Sequence, residues 1–397
     1  MSDFQKTKAL FHLPEGMIYL DGNSLGPLPK AAAQRVHDMM TDQWGELLIT
    51  GWNKAGWMDQ PVSVGNRIAH LIGAETDHVA VGDTLSIKVY QALASALELR
   101  PDRKVILSDS GNFPSDLYMA QGLIASLGQG HELRIVAPED IEDNLTSEVA
   151  VSLITEVDYR TGRRHDMAHL TAKAQSVGAL TIWDLAHSAG AIDVDLMAAQ
   201  ADFAVGCTYK YLNGGPGSPA FIYVAPKHAE HVRPALSGWL GHKSPFDFDL
   251  TYTEGRGIER MRVGTPPVIA MASLEAALDI WDMTTMADIR AKSKELTSLF
   301  IDLIEARCPM LTLASPRDAG QRGSQVSFAF EQGYPAMQAI IDRGVIGDFR
   351  APNIMRFGFT PLYIDAADVK AAVDIIADVM HTEAWKAEKY QVRAKVT

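Results

Sequence analysis

Between Lys104 and Val224 the chain alternates short apolar runs with segments of helical period. The runs are KVILSD, LRIV, VSLITEVDY, ALTIWD, ADFAVGC and PAFIYV, with helical patterns around 117–127 and 167–175. Short apolar runs separated by helical segments predict an α/β fold: a mainly parallel sheet with helices on both faces. Upstream, 29–48 reads as a helix opening on Pro29, a residue suited to the first helical position. Residues 86–99 read as a second helix, preceded by Gly82-Asp83-Thr84. Downstream, helices are expected over 268–281 and 286–306, short strands around Leu311, Val326, Val345 and Met355, and a closing helix over 366–380. The pattern divides into a large domain, 1–284, and a smaller C-terminal α/β domain, 285–397; the N-terminal segment can pack with either.

Composition narrows the class. With 397 residues, 47% of them hydrophobic, the chain can bury a sizeable core. Charged residues are 21% and no segment is of low complexity, which excludes global disorder. A net charge of −13 argues against a nucleic-acid or anionic-membrane surface. Cys207 and Cys308 form no disulfide framework, no CxxC pair and no zinc spacing, so no metal site is expected. MSDFQKTKALFHLPEG lacks the apolar core of a signal peptide. No apolar run approaches the roughly 20 residues that span a bilayer. A cytoplasmic protein is expected, and Asn144-Leu145-Thr146 is read as a chance glycosylation sequon.

Ligands of parallel sheets sit at the carboxyl ends of strands. Asp184 ends ALTIWD, and Lys210 follows ADFAVGC. An aspartate at one strand end and a lysine at the next is what pyridoxal phosphate (PLP) needs. The lysine forms a Schiff base with the aldehyde, and the aspartate keeps the pyridine nitrogen protonated so that the ring accepts electrons. A lone lysine is ordinarily a surface group. Here an apolar run precedes it and Asn213-Gly214-Gly215-Pro216-Gly217 follows, with glycines that permit close backbone approach. Asp184 has a second reading as a helix N-cap. His187 shares its face if the following turn is helical, either contacting the ring or filling core.

Other residues carry paired readings. Gly82-Asp83-Thr84 offers backbone N–H groups and a hydroxyl to a phosphate, or is an ordinary N-cap. Phe113 stacks on a pyridine ring or is plain core. Asp116 is an N-cap, a second cofactor carboxylate, or both. Arg356, inside an apolar run, binds a substrate carboxylate bidentately or sits in a structural ion pair.

Six blocks, in order, resemble kynureninase, a PLP enzyme family of fold type I: YLDGNSLGPLPK, NFPSD, WDLAHSAGA, CTYKYLNGGPG, LSGWLGH and RAPNIMRFGFTPLY. The resemblance runs from Tyr19 to about Tyr363. It implies hydrolysis of L-kynurenine to anthranilate and L-alanine, serving either degradation or nicotinamide supply. It makes Lys210 the Schiff-base lysine and Asp184 the partner of the pyridine nitrogen. Asp116 and His187 support the ring, and Phe113 stacks on it. Thr84, the Leu85 backbone and Tyr209 hold the phosphate, and Tyr209 is also the candidate for a second proton shuttle beside Lys210. Trp239 and Thr265 reach the phosphate from the neighbouring subunit of a homodimer. Arg356 takes the substrate α-carboxylate, and Asn23 and Ser24 line the substrate end. Trp52 and Thr265 look like the bacterial pattern, which implies kynurenine over 3-hydroxykynurenine. Ile87 and Lys88 depart from the family's usual run at that helix.

Three rivals are weighed. One is a kynureninase that accepts 3-hydroxykynurenine equally. A cysteine desulfurase needs a mobile, reactive cysteine, and Cys308 in EARCPM reads as packed. A non-catalytic PLP-binding regulator needs a DNA-binding module, and no helix-turn-helix extension or basic arm is present.

Overall fold

Seven strands form the central sheet, in the order Val79–Val81, Phe221–Val224, Phe203–Gly206, Leu180–Asp184, Val149–Thr155, Val105–Asp109 and Glu132–Val136. Phe221–Val224 runs antiparallel to both neighbours, and the rest of the sheet is parallel. The computed structural model describes residues 2–392. Apolar runs such as LTIWD and VAVSLIT are buried at every position, as strands covered on both faces must be. The expected α/β class is the observed one.

A second sheet, Thr312–Leu313, Gln325–Ala329, Ile354–Gly358 and Asp348–Arg350, is antiparallel throughout. The helices Met286–Arg307 and Ala366–His381 begin where local chemistry starts them. Thr285 accepts the Asp288 amide, and Asp365 and Asp368 form a reciprocal capping box; such caps contribute about 1 kcal/mol each. The N-terminal segment joins this region: Ile18–Tyr19 pairs in parallel with Val345–Ile346. One contiguous apolar core runs from Trp183 and Tyr211 to Phe300 and Phe357.

One helix differs from expectation. The single helix expected over 29–48, opening on Pro29, is divided: the α-helix is Lys30–Asp38, followed by a wider π-helical stretch, Met39–Gly45. The cause is tertiary: Trp57 donates its indole N–H to Gln43 at 2.9 Å, and Met39 and Trp57 share a small apolar cluster with Ala272. No helix among the described residues is long and apolar enough to cross a membrane, and no three acidic, His or Cys side chains are placed to hold a metal.

Candidate active site

Asp184 is the last residue of its strand, and its Oδ1 accepts the Ala186 amide at 2.8 Å. The adjoining parallel strand ends at Gly206, and the chain then turns to present Lys210. Lys210 Nζ lies 2.9 Å from His187 Nε2 and 5.8 Å from the centre of the Tyr209 ring. The segment after Asp184 is a run of turns, not a helix. Asp184 therefore caps a turn rather than a helix, and His187 reaches the site from that turn. The chain doubles back at Leu185, whose carbonyl takes the Ser188 and Ala189 amides.

Thr155 ends the strand on the other side of Asp184 and is its register partner. Its hydroxyl lies 2.6 Å from Asn112 Oδ1 and 3.4 Å from Asp184 Oδ2. A hydroxyl has one proton, so the shorter contact takes it and Asp184 Oδ2 is left weakly held. Asp116 Oδ2 and His187 Nδ1 are buried without a hydrogen-bond partner among the described residues. Burial pushes Asp184 upward while Lys210 pulls it down; burial and the Asp184 charge push Asp116 well up. Burial, then the Lys210 charge, drives His187 well below the ordinary imidazole range. A neutral imidazole facing an ammonium must accept through Nε2, which assigns its proton to Nδ1. Buried carboxylates this poorly paired call for a cationic N–H donor.

Lys210, Asp184, His187, Tyr209, Phe113 and Leu85 line a crevice of about 160 Å³, which they share with Asn23, Ser24, Tyr159, Arg350 and Arg356. Phe113 is not core: it is 44% exposed and stands edge-on to Tyr159. Thr84 is the N-cap of the helix Leu85–Glu98, but its side chain makes no capping bond, which leaves the hydroxyl uncommitted. Asp116 lies beside the crevice, coupled to Asp184 and Lys210 by charge.

Arg356 is buried, and Asp348, its register partner on the adjoining strand, holds it. Nε donates to Oδ1 at 2.6 Å and Nη2 donates to Oδ2. Nη2 also donates to Ser24 Oγ at 3.0 Å, and Nη1 donates to the Tyr159 carbonyl. These bonds take all but one of the guanidinium's five N–H protons, leaving one on Nη1, so a carboxylate binds bidentately at the Nη1–Nη2 edge only by displacing Ser24 from Nη2. Burial works against the Asp348 charge, yet Arg356 and Arg350 hold it below the ordinary carboxylate range. Asp21 goes the other way, pushed up to about 8 by burial and by Asp348.

The N-terminal motif is fixed directly to the lysine loop. Gly26 donates its amide to the Tyr209 carbonyl at 2.8 Å. A Cβ on Gly26 would lie 2.5 Å from the Lys210 carbonyl oxygen and 2.7 Å from Asn213 Cα, closer than any side chain permits. Asn23 is fully buried, and neither of its side-chain polar atoms has a partner among the described residues.

A family model described as the kynureninase C-terminal domain matches residues 289–376. Over 394 residues the chain is 51% identical to a kynureninase of Burkholderia mallei (strain SAVP1) and 50% identical to one of Pseudomonas fluorescens. Each match spans 98% of this chain and 95% of the relative. The chain belongs to the kynureninase family. Its fold is that of the type I PLP-dependent enzymes. A cysteine desulfurase from Thermococcus onnurineus NA1 superposes with a TM-score of 0.80 at 17% identity, over 95% of this chain and 98% of that one. A lysine-to-alanine mutant of C-DES, with glycine covalently linked to its PLP cofactor, also gives 0.80, at 16% identity, over 95% and 100%. At that identity the likeness is one of fold alone. Cys207 and Cys308 are both buried, with thiols pushed upward by that burial, the opposite of a reactive thiolate.

Not every residue that the kynureninase resemblance nominates reaches the crevice within one chain. Trp239 is 40% exposed and packs edge-on against Phe246. Thr265 lies on an exposed loop facing Gly82 and Asp83. Trp52 stands edge-on to Trp57, at 5.5 Å between centroids, in a separate apolar cluster. A larger cavity, about 670 Å³, lies elsewhere, between Arg163–Ala168, Asp193–Ala199 and Gln321; Lys210 and Asp184 line the smaller one. Sequence reasoning missed Thr155, Tyr159, Asp21 and Asp348. Thr155 had a signal, as the last buried position of VSLIT beside the strand that Asp184 ends. Asp348 had one too, an acid placed to meet Arg356 across a short hairpin.

Proposed function

We propose that the chain binds PLP at Lys210 and hydrolyses the Cβ–Cγ bond of L-kynurenine, giving anthranilate and L-alanine. The observation that carries this is the joining of Asp184, Lys210 and Arg356 in one crevice of a kynureninase-family chain. The residues fit the cofactor. The weakly held Asp184 Oδ2 suits a pyridinium N–H, and Asp116, which burial and the Asp184 charge push toward its neutral form, leaves Asp184 the charged partner. Phe113 offers a ring face, and Thr84 with the first-turn amides of its helix offers a phosphate seat, to which Tyr209 adds a hydroxyl. When bound, PLP supplies the electron sink for charge developing at the substrate Cα.

The remaining work falls to the chain. Lys210 Nζ would hold the cofactor and, once the substrate amine has displaced it, would be free to move the proton at the substrate Cα. Neutral His187 accepts from that amine and sets its direction. Arg356, oriented by Asp348 and Ser24, takes the α-carboxylate, and Asn23 lines the same end. Water is the second reactant: its oxygen ends in the anthranilate carboxylate and one hydrogen on the alanine methyl. Burial pushes the Tyr209 phenol upward, so it keeps its proton at neutral pH and acts as a donor rather than a base.

The finer features belong to the same proposal. The protein works as a homodimer in which Trp239 and Thr265 reach the neighbouring subunit's phosphate; the exposed Phe246, Phe248 and Leu250 beside Trp239 support an interface there. Trp52 and Thr265 favour kynurenine over 3-hydroxykynurenine. The chain divides at about 284/285 into a large and a small domain, and its two unpaired thiols suit the cytoplasm. The deciding test is anthranilate fluorescence from PLP-loaded protein, with kynurenine and 3-hydroxykynurenine at matched concentration and Lys210→Ala as the blank. Faster release of anthranilate, lost in the variant, is expected. Preference for the hydroxylated substrate overturns the specificity, and no aryl product from either overturns the function.

A further inference from the structure

Lys88 is 1% exposed, in the first turn of the helix Leu85–Glu98. Its ammonium donates to Asp83 Oδ2 at 3.0 Å, Gln91 Oε1 at 3.0 Å and the Met261 carbonyl at 2.9 Å. An ammonium has three N–H groups and no lone pair, so each proton has one acceptor and none is left for solvent or ligand. Burial drags Lys88 below the ordinary lysine range, with Arg262 adding to this and Asp83 opposing it. An apolar side chain would fill the same space without that penalty.

What the ammonium fixes is specific. Asp83 has a φ of +55°, an uncommon backbone for a residue with a side chain, and it sits immediately before Thr84. Lys88 grips its carboxylate from five residues further along the chain and holds the turn that aims Thr84 and the Leu85 amide. On its other side Met261 starts the loop that leads to Thr265. Asp83, Lys88, Arg262 and Thr265 line one narrow crevice between the two segments. Gln91 Nε2 donates to the same Met261 carbonyl at 3.2 Å and doubles the tie.

We propose that Lys88 is a positioning residue for the cofactor's phosphate: it locks the Asp83–Leu85 turn to the Met261–Thr265 segment, so the hold on PLP depends on a charge whose protons all go to the protein. This rests on the PLP reading of the site.

The test is titration of apoenzyme with PLP, following the absorbance of bound cofactor and, after borohydride reduction, the label at Lys210. Wild type loads at Lys210. Lys88→Met is expected to weaken PLP binding by about tenfold or more, with turnover recovered by excess PLP and a smaller PLP-induced rise in Tm. A merely structural lysine would lower the Tm of apo and loaded forms alike and leave PLP affinity unchanged. Asp83→Asn, at a side chain one-third exposed, decides the matter if Lys88→Met does not fold, and is expected to weaken PLP in the same direction. Wild-type affinity in folded Lys88→Met, or in Asp83→Asn should that be the variant that folds, overturns the role of Lys88 alone. A wild type that never loads PLP at Lys210 overturns the proposed function and the role of Lys88 with it.

Discussion

Asp348 and Arg356 face each other as register partners on adjoining strands, both sealed from solvent. The carboxylate takes one edge of the guanidinium and so decides which edge a substrate can use. Removing one partner of a buried pair strands the other's charge. Asp348→Ala is expected to destabilise the protein by about 3–5 kcal/mol, read by urea denaturation. Added formate should recover part of that loss by pairing with Arg356. A loss below about 1 kcal/mol, the scale of an exposed pair, would show that the pair does not hold the guanidinium.

Asp21 titrates beside this pair. Its folded value, about 8, lies above the ordinary 3.8. The folded state therefore holds the proton more tightly, and the stability this contributes is complete below about pH 4 and lost as pH rises through about 8. The charge that then appears faces Asp348, Arg356, Arg350 and Tyr19, and it weakens the pull on a substrate carboxylate. KM for kynurenine is expected to be flat below pH 7 and to climb above pH 8, with Asp21→Asn flat throughout. The same climb in the variant would assign it to another group.

Gly26 has no room for a side chain, because the atoms in the way are the backbone of Lys210 and Asn213. Gly26→Ala should force the N-terminal motif away from the lysine loop, costing about 1–3 kcal/mol and lowering kcat/KM. Thermal melting and steady-state rates check both. Wild-type turnover in this variant would show that the contact between Gly26 and Tyr209 is incidental.

Tyr209→Phe separates two roles. If the phenol only holds the phosphate, PLP affinity drops and turnover at saturating PLP is spared. If it also delivers a proton, turnover falls by about 100-fold or more with PLP occupancy unchanged. We expect the second outcome, because burial keeps the phenol protonated.

The parts of this site that were legible in the sequence are those fixed locally. The helix 268–281 has the bounds its sequence predicts because its apolar spacing is continuous. Asp184 and Lys210 are visible because each follows an apolar run, and parallel strands bring such ends together. What pairing across strands determines stayed hidden. Asp348 is an acid a short hairpin away from Arg356, but that the two stand opposite each other depends on hairpin register, which the sequence does not state. His187 is nominated by a helical spacing that does not exist; a chain reversal at Leu185 delivers it instead. Lys88 looks in the sequence like a departure from the family's run that argues against a phosphate role beyond Leu85; its acceptor at Met261, far along the chain, is not visible there.

The pairing of Ile18–Tyr19 with Val345–Ile346 sets a schedule for the growing polypeptide. The segment bearing Asn23 and Ser24 is synthesised long before its strand partner. Until that partner is made the central sheet can take shape, with Lys210 beyond the carboxyl end of an interior strand, while the N-terminal motif has no strand to pair with. A chain released early would thus carry Lys210 on a formed sheet and leave the N-terminal motif without its anchor.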